Sequence, residues 1–148
     1  KGTTISLYLP LRQEPSAGQQ DITWIATNQA PQGKTILLVE DDAQVRRIVA
    51  KMLDRLVHTV IEAQDGHVAV LSLEKHQKAI NAVLTDAVMP AGMSGHALIE
   101  HVQQQYPDIK VLLMSGYADI YTDETSLPVL SKPFSMDRLS TAIKKLFN

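Results

Sequence analysis

The sequence predicts an α/β protein in which a parallel five-stranded sheet is covered by helices on both faces. From residue 34 onward, short apolar runs alternate with segments of helical periodicity, an order typical of parallel sheets. The runs are apolar throughout rather than at every second position, as expected for strands that are covered on both sides. Residues 34–148 therefore form one doubly wound domain with about five helices.

The predicted strands are short, and each is bounded by a turn or by a helical pattern. Their residues are 35–39, 58–62, 80–85, 110–114 and 128–130.

Helical patterns follow most of these strands, the clearest of them after the first. Apolar residues there recur on one face of a helix, at Val45, Ile48, Val49, Met52, Leu53 and Leu56. Further helices are predicted at 66–76 and 95–105, and a last one begins at an N-cap, Ser135. The last helix is expected to bury its apolar side chains, namely Met136, Leu139, Ile143, Leu146 and Phe147.

The first 33 residues do not continue this pattern. Residues 1–10 alternate polar and apolar side chains up to a proline, which predicts one strand, and a lone strand is not stable without a partner. Residues 11–33 have the composition of a linker. The chain begins with Lys1 rather than Met, and we expect it to be a piece of a longer protein.

Composition excludes several classes of function. The 148 residues are 45% hydrophobic and 20% charged, with a net charge of −2, which does not favour a nucleic-acid or membrane surface. The absence of cysteine excludes disulfides, thiolate catalysis and cysteine-based zinc sites and agrees with a reducing compartment. No apolar run approaches the roughly 20 residues that span a bilayer.

Polar residues follow four of the predicted strands at the point where each strand ends. They are Glu40 and Asp41, then Asp86, Ser115 and Lys132. The carboxyl ends of parallel strands meet at one edge of the sheet, where open α/β sheets bind ligands. Three carboxylates, a hydroxyl and an ammonium on one rim suit a divalent cation and a phosphoryl group.

Each of these residues also has a simpler interpretation when it is taken alone. Acidic residues between a strand and a helix cap the helix, and Asp42 is the expected cap. Asp86 and Ser115 could start turns, and Lys132 could extend its ammonium into solvent. The set is much more specific than any one member, because all of them fall at successive strand ends.

In these motifs the chain resembles a response-regulator receiver domain over residues 34–148. Order and spacing both fit. The matching segments are I-L-L-V-E-D-D (36–42), R-R-I-V (46–49), T-D-A-V-M-P-A-G-M-S-G (85–95), L-M-S-G-Y-A (113–118) and S-K-P-F (131–134). The resemblance implies a flavodoxin-like fold with strand order 2-1-3-4-5. It also implies a phosphorelay function, in which a phosphoryl group passes from phosphohistidine to one aspartate with Mg²⁺ bound.

The resemblance assigns the site residues as follows. Asp86 is the phosphoacceptor, and Asp41 binds Mg²⁺ directly, with Glu40 beside it acting through water. The backbone carbonyl of Val88 completes the protein ligands.

Two further roles and the donor follow from the same resemblance. Ser115 is the hydroxyl of the conformational switch, and Lys132 binds the phosphate. The implied partner is a histidine kinase or a phosphotransfer domain that carries phosphohistidine.

Residues 1–10 resemble the closing strand of a histidine-kinase ATP-binding domain, with its G-T-T element. The parent protein implied by this match is a hybrid histidine kinase with a C-terminal receiver, and we expect the present piece to be cytoplasmic. The piece itself would be a phosphoacceptor module rather than a stand-alone enzyme.

Three departures from the family pattern affect these expectations. Val129 replaces an aromatic residue that often reports activation, and residues 117–127 leave little room for a full fourth helix. Apolar Val88, two residues beyond Asp86, cannot orient a hydrolytic water by hydrogen bonding, so we expect slow self-dephosphorylation.

Two other functions remain as alternatives. One is a non-phosphorylated docking module, which need not retain the five rim residues. The other is a phosphohydrolase with an aspartate nucleophile, which generally needs a second acid close by, and residues 87–90 offer none. The tripeptide at 33–35 resembles the end of a phosphate-binding loop, but it opens a strand rather than a helix. The five histidines lack ligand spacing and are interpreted as surface residues.

Overall fold

The computed structural model describes residues 33–90, 92–116 and 127–148. The predicted strand at 1–10, the linker before residue 33 and most of the short segment 117–127 lie outside the described residues.

The sheet has the predicted class and strand order. Five parallel strands lie in the order β2-β1-β3-β4-β5. The strands are β1 (Thr35–Val39), β2 (Thr59–Ala63), β3 (Ala82–Asp86), β4 (Lys110–Ser115) and β5 (Val129–Ser131).

Four helices cover the sheet within the described residues, and none of them is long and apolar enough to cross a membrane. They are α1 (Ala43–Arg55), α2 (Gly66–His76), α3 (Gly95–Gln105) and α4 (Met136–Phe147). The Asp42 carboxylate accepts hydrogen bonds from two amides of the first turn of α1, which lowers the pKa of Asp42. The Ser135 hydroxyl accepts from the Arg138 amide, so both predicted caps are confirmed.

Each face of the sheet carries its own apolar layer. Alternate residues of one strand point to opposite faces, so Leu37 and Val39 pack with α2 and α3. Ile36 and Leu38 pack with α1 and α4. All four side chains are at most 1% exposed, which explains why four consecutive residues of β1 are apolar.

The predicted strand bounds were wrong by one or two residues at several ends. Asp86 and Ser115 are the last residues of β3 and β4 rather than the residues after them. Parallel pairing extends that far because Asp86 pairs with Met114 and Ser115 with Ser131. The sequence did not indicate this, because the polar side chains of Asp86 and Ser115 interrupt the apolar runs although the backbone pairing continues through them.

The predicted apolar face of α1 was too wide. Val49 and Leu53 are buried, but Ile48 is 60% exposed. Neighbouring residues of a helix are about 100° apart around its axis, so Ile48 turns away when Val49 faces the sheet. In α4, likewise, Leu139 and Ile143 are fully buried, while the remaining predicted core residues are only partly buried.

The interpretation of all five histidines as surface residues was wrong for His58. Its side chain is buried, with 6% exposed, and its Nδ1 accepts a hydrogen bond from the Lys34 amide at 3.2 Å. Burial disfavours the charged imidazolium and lowers the pKa of His58 below its ordinary value. A neutral imidazole here therefore ties the start of the domain to the entry of β2.

This burial predicts a pH dependence of stability. A folded-state pKa below the unfolded value means that the unfolded chain binds more protons once the pH falls through about 6.5. The free energy of unfolding should therefore decrease as the pH falls from about 7.5 to about 5.5, by at most about 1.4 kcal/mol per pH unit. His58→Asn, which retains an acceptor but does not titrate, should flatten this dependence in urea unfolding. His76→Asn, at an exposed histidine, is the control and should not.

Candidate functional site

Three carboxylates meet at the carboxyl edge of the sheet. Glu40 and Asp41 leave β1, and Asp86 ends β3, which is the neighbouring strand. One ligand oxygen from each of the three lies within 4.8 Å of the others. We call Glu40, Asp41 and Asp86 the acidic cluster. The parallel pairing of β1 with β3 thus unites residues that lie more than 40 positions apart in the sequence.

Lys132 reaches this cluster from the other end of the chain. Its Nζ lies 2.7 Å from Oε2 of Glu40 and 3.1 Å from Oδ1 of Asp86. The lysine follows β5, so its side chain crosses β4 to reach the ends of β1 and β3. The ammonium is therefore the counter-charge of Glu40 and Asp86.

Burial sets the charge balance of the site. Glu40 is only 2% exposed, and this desolvation raises its pKa, although the hydrogen bond and charge of Lys132 act in the opposite direction. Desolvation also lowers the pKa of Lys132, but the hydrogen bonds and charges of Glu40 and Asp86 outweigh it, so the net pKa is raised. The ammonium consequently stays charged at neutral pH.

Ser115 and Val88 lie beside the cluster without joining its ion pairs. The Ser115 side chain is buried at the end of β4, and its hydroxyl donates to the Gly116 carbonyl at 3.1 Å. Met114, directly before it, is the register partner of Asp86. Val88 follows β3 by two residues, and its side chain is 57% exposed.

A glycine fixes the backbone that carries Asp86. Gly95, the first residue of α3, lies so close to the end of β3 that a Cβ on it would collide with the Asp86 carbonyl oxygen. The Gly95 amide donates to the Ala87 carbonyl at 3.3 Å. The start of α3 is therefore in direct backbone contact with the end of β3. Sequence analysis missed this role, and the signal was a glycine where a helix starts.

Sequence analysis also missed Arg46. Its Nη1 donates to the backbone carbonyl of Glu40 at 2.6 Å and to that of Asp41 at 3.3 Å. Arg46 begins the matching segment R-R-I-V (46–49), but no role was assigned to it, because an arginine in the first turn of a helix commonly faces solvent.

The acidic cluster fits Mg²⁺ by its donors. Hard divalent cations prefer oxygen ligands, and Mg²⁺ usually takes one or two carboxylates and keeps several waters. Asp41 is exposed, and Asp86 is partly exposed, so water and a phosphoryl oxygen can approach the same cation. Glu40 is held by Lys132, which agrees with a contribution through water rather than by direct contact.

Comparison with known proteins identifies the family. The model of the response regulator receiver domain matches residues 36–144. The chain belongs to this family. The receiver match includes every residue of the acidic cluster together with Ser115 and Lys132.

Two curated proteins of Brucella abortus (strain 2308) are among the relatives of this receiver domain. The sensor kinase CckA is 33% identical over 158 residues, an alignment that covers 99% of this chain and 16% of CckA. The response regulator receiver protein CpdR is 33% identical over 118 residues, or 76% of this chain and 96% of CpdR. The chain thus spans a small part of one relative and nearly all of the other.

Solved receiver domains have the same fold. The receiver domain of a hybrid histidine kinase CckA matches with a TM-score of 0.66 and 27% identity, and covers 77% of this chain and 99% of that chain. A signal receiver domain of an HD domain-containing protein from Pseudomonas fluorescens Pf-5 matches with a TM-score of 0.69 and 26% identity. It covers 78% of this chain and 94% of that chain.

The Lys132 contacts predict a defined loss of stability. Lys132→Met should lower the free energy of unfolding by about 2 kcal/mol without divalent cations, because Glu40 and Asp86 lose their counter-charge. Mg²⁺ should restore part of this loss, since it supplies positive charge at the same place. Urea unfolding with and without Mg²⁺ measures both effects, and Lys51→Met on the exposed side of α1 is the control. Equal stability of the two variants would contradict the proposed charge balance.

Proposed function

We propose that this receiver domain is a phosphoacceptor, which takes a phosphoryl group from phosphohistidine onto Asp86 in a two-component phosphorelay. The observation that carries the proposal is the meeting of three carboxylates and one ammonium at the carboxyl edge of the sheet. Phosphoryl transfer depends mainly on positioning and on charge stabilisation, and this arrangement can supply both.

The surroundings of Asp86 support its assignment as the acceptor, which the family resemblance implies. Glu40 is buried and already engaged by Lys132, whereas Asp41 is exposed and free to bind a cation directly. The Asp86 side chain is 14% exposed, so it combines access with a fixed backbone. Its carboxylate lies within reach of both the Lys132 ammonium, at 3.1 Å, and the other two acids, at no more than 4.8 Å.

The proposed transfer is an in-line displacement. A carboxylate oxygen of Asp86 forms a bond to phosphorus while the bond between phosphorus and the imidazole nitrogen of the donor breaks. The imidazole leaves, and an acyl phosphate remains on Asp86. Asp41, Asp86 and the Val88 carbonyl would hold Mg²⁺, with Glu40 acting through water, and the bound ion would supply positive charge for the phosphoryl oxygens. Lys132 holds another phosphoryl oxygen and keeps the new group in place.

Ser115 is the proposed switch. Its hydroxyl donates to the neighbouring Gly116 carbonyl, so it must turn to donate to a phosphoryl oxygen on Asp86. That movement would draw in Gly116 and change the affinity of the neighbouring surface of β5 and α4 for a partner. An aromatic side chain does not take part at position 129, where the chain has valine.

A hybrid histidine kinase is the parent protein that we propose. The match to the sensor kinase CckA extends over 99% of this chain, so it includes the region before the receiver, and residues 1–10 resemble the end of a kinase ATP-binding domain. Residues 11–33 would then be the linker between the two domains. The proposed partner is a histidine kinase or phosphotransfer domain carrying phosphohistidine, and the proposed location is the cytoplasm.

Labelling with a small-molecule phosphodonor tests the function. In Mg²⁺, the wild-type chain should gain one stable phosphoryl group, which mass spectrometry locates on Asp86. Asp86→Asn should abolish the label, because the amide is not a nucleophile, while Ser115→Ala should retain it but lose the conformational response. An unlabelled wild type would favour the docking module, and continuous phosphate release would favour a phosphohydrolase.

The exposed Val88 side chain predicts a long-lived phosphoryl group. Because valine cannot orient water by hydrogen bonding, phospho-Asp86 should persist well beyond seconds in Mg²⁺. Val88→Asn should shorten its lifetime several-fold, since an amide can hold the attacking water. Leu71→Asn, which introduces the same amide at another exposed apolar position, is the control in a time course of label loss. A lifetime of only seconds for the wild type would contradict the prediction.

A further inference from the structure

The geometry points to Arg46 as a positioning residue that holds Glu40 and Asp41 in the arrangement needed for Mg²⁺. Arg46 lies in α1, one turn after the Asp42 cap, and its side chain is 17% exposed. Its Nη1 donates to the carbonyls of Glu40 and Asp41. One guanidinium nitrogen therefore binds the backbone of two neighbouring members of the acidic cluster.

The backbone at these positions depends on contacts of this kind. Glu40 follows β1 and precedes α1, so it belongs to neither element. Its amide donates to the Ala63 carbonyl at the end of β2, at 3.2 Å. Arg46 secures the carbonyl side of the same residue, and its Nε lies 3.4 Å from Oε2 of Glu62 in β2. The loop is thus held from both sides, and Arg46 joins it to β2.

Arg46 has two opposite effects on Mg²⁺ affinity, and the direction in which the affinity changes when Arg46 is removed shows which effect is larger. The guanidinium is a positive charge near a proposed cation site, and repulsion alone would weaken Mg²⁺ binding. Positioning acts in the other direction, because Mg²⁺ demands near-ideal octahedral geometry. We expect positioning to dominate, since Nη1 bonds to both carbonyls and Glu62, at 3.4 Å from Nε, partly offsets the guanidinium charge. Removal of Arg46 should therefore weaken Mg²⁺ binding.

Calorimetric titration of Mg²⁺ into the unphosphorylated full chain tests this sign. Arg46→Gln should raise the Mg²⁺ dissociation constant about three- to ten-fold. Arg47→Gln is the matched control: it removes the same charge from the next, exposed residue and should change the constant by less than twofold. An unchanged or lower dissociation constant for Arg46→Gln would overturn the inference.

Arg46→Lys separates geometry from charge. It keeps one positive charge but lacks the planar, forked guanidinium, so it should recover less than half of the lost binding free energy. Full recovery would overturn the assignment of both carbonyls to the guanidinium. Glu62→Gln should have a smaller effect than Arg46→Gln, because Glu62 is 51% exposed and exposed ion pairs are weak. A larger effect would place the positioning role on Glu62 instead.

Labelling kinetics add a second readout. In Arg46→Gln, the Mg²⁺ concentration for half-maximal labelling should rise by the same factor as the dissociation constant, while the rate at saturating Mg²⁺ stays within twofold. A loss of rate at every Mg²⁺ concentration, with a matched drop in the urea midpoint, would assign Arg46 to general stability and overturn the inference.

The inference rests on the proposed function only in taking Mg²⁺ as the cation, and the two can fail separately. If the wild type binds Mg²⁺ but is not labelled on Asp86, the proposed function fails while calorimetry still decides the role of Arg46. If the wild type is labelled and Arg46→Gln binds Mg²⁺ like the wild type, only the inference about Arg46 fails.

Discussion

The ion pairs of Lys132 hold together groups that would otherwise repel one another. Three carboxylates within 4.8 Å are unfavourable without positive charge, and one of them, Glu40, is buried. The ammonium lies 2.7 Å from Glu40 and 3.1 Å from Asp86, so it offsets the charge of both. A cation at the same place would complete the neutralisation, which is why a structural ion pair and a proposed binding site coincide here.

The fold supplies this arrangement through strand order rather than through any local motif. β1 and β3 are neighbours in the sheet although β2 lies between them in the chain, so Glu40 and Asp41 end beside Asp86. α1 and α3 then secure the backbone at these ends, with Arg46 donating to two carbonyls and Gly95 lying against the Asp86 carbonyl. The two apolar layers position the strands, and the polar contacts at the rim position the side chains.

Periodicity and spacing predicted the alternating elements, two helix caps and the set of rim residues, because these depend on local chemistry and on the strand ends. They did not predict the burial of His58, whose imidazole accepts a hydrogen bond from the Lys34 amide, 24 positions earlier in the chain. Nor did they predict the exposure of Ile48, since helical spacing alone does not fix which side of α1 faces the sheet. Arg46 and Gly95 were missed for the same reason: their partners are backbone atoms that only the tertiary structure brings near.

Lys132 is attached to the shortest strand of the described sheet. β5 has three residues, lies at the sheet edge and pairs with β4 alone in the strand order, whereas the acidic residues leave β1 and β3 in the interior of the sheet. Local opening is least costly where few backbone hydrogen bonds and few packed side chains must be broken. Lys132 therefore follows the strand that is least costly to displace, whereas the acidic residues lie at the ends of strands that are paired on both sides. A change of charge at the site would consequently move β5 before it moves β1 or β3.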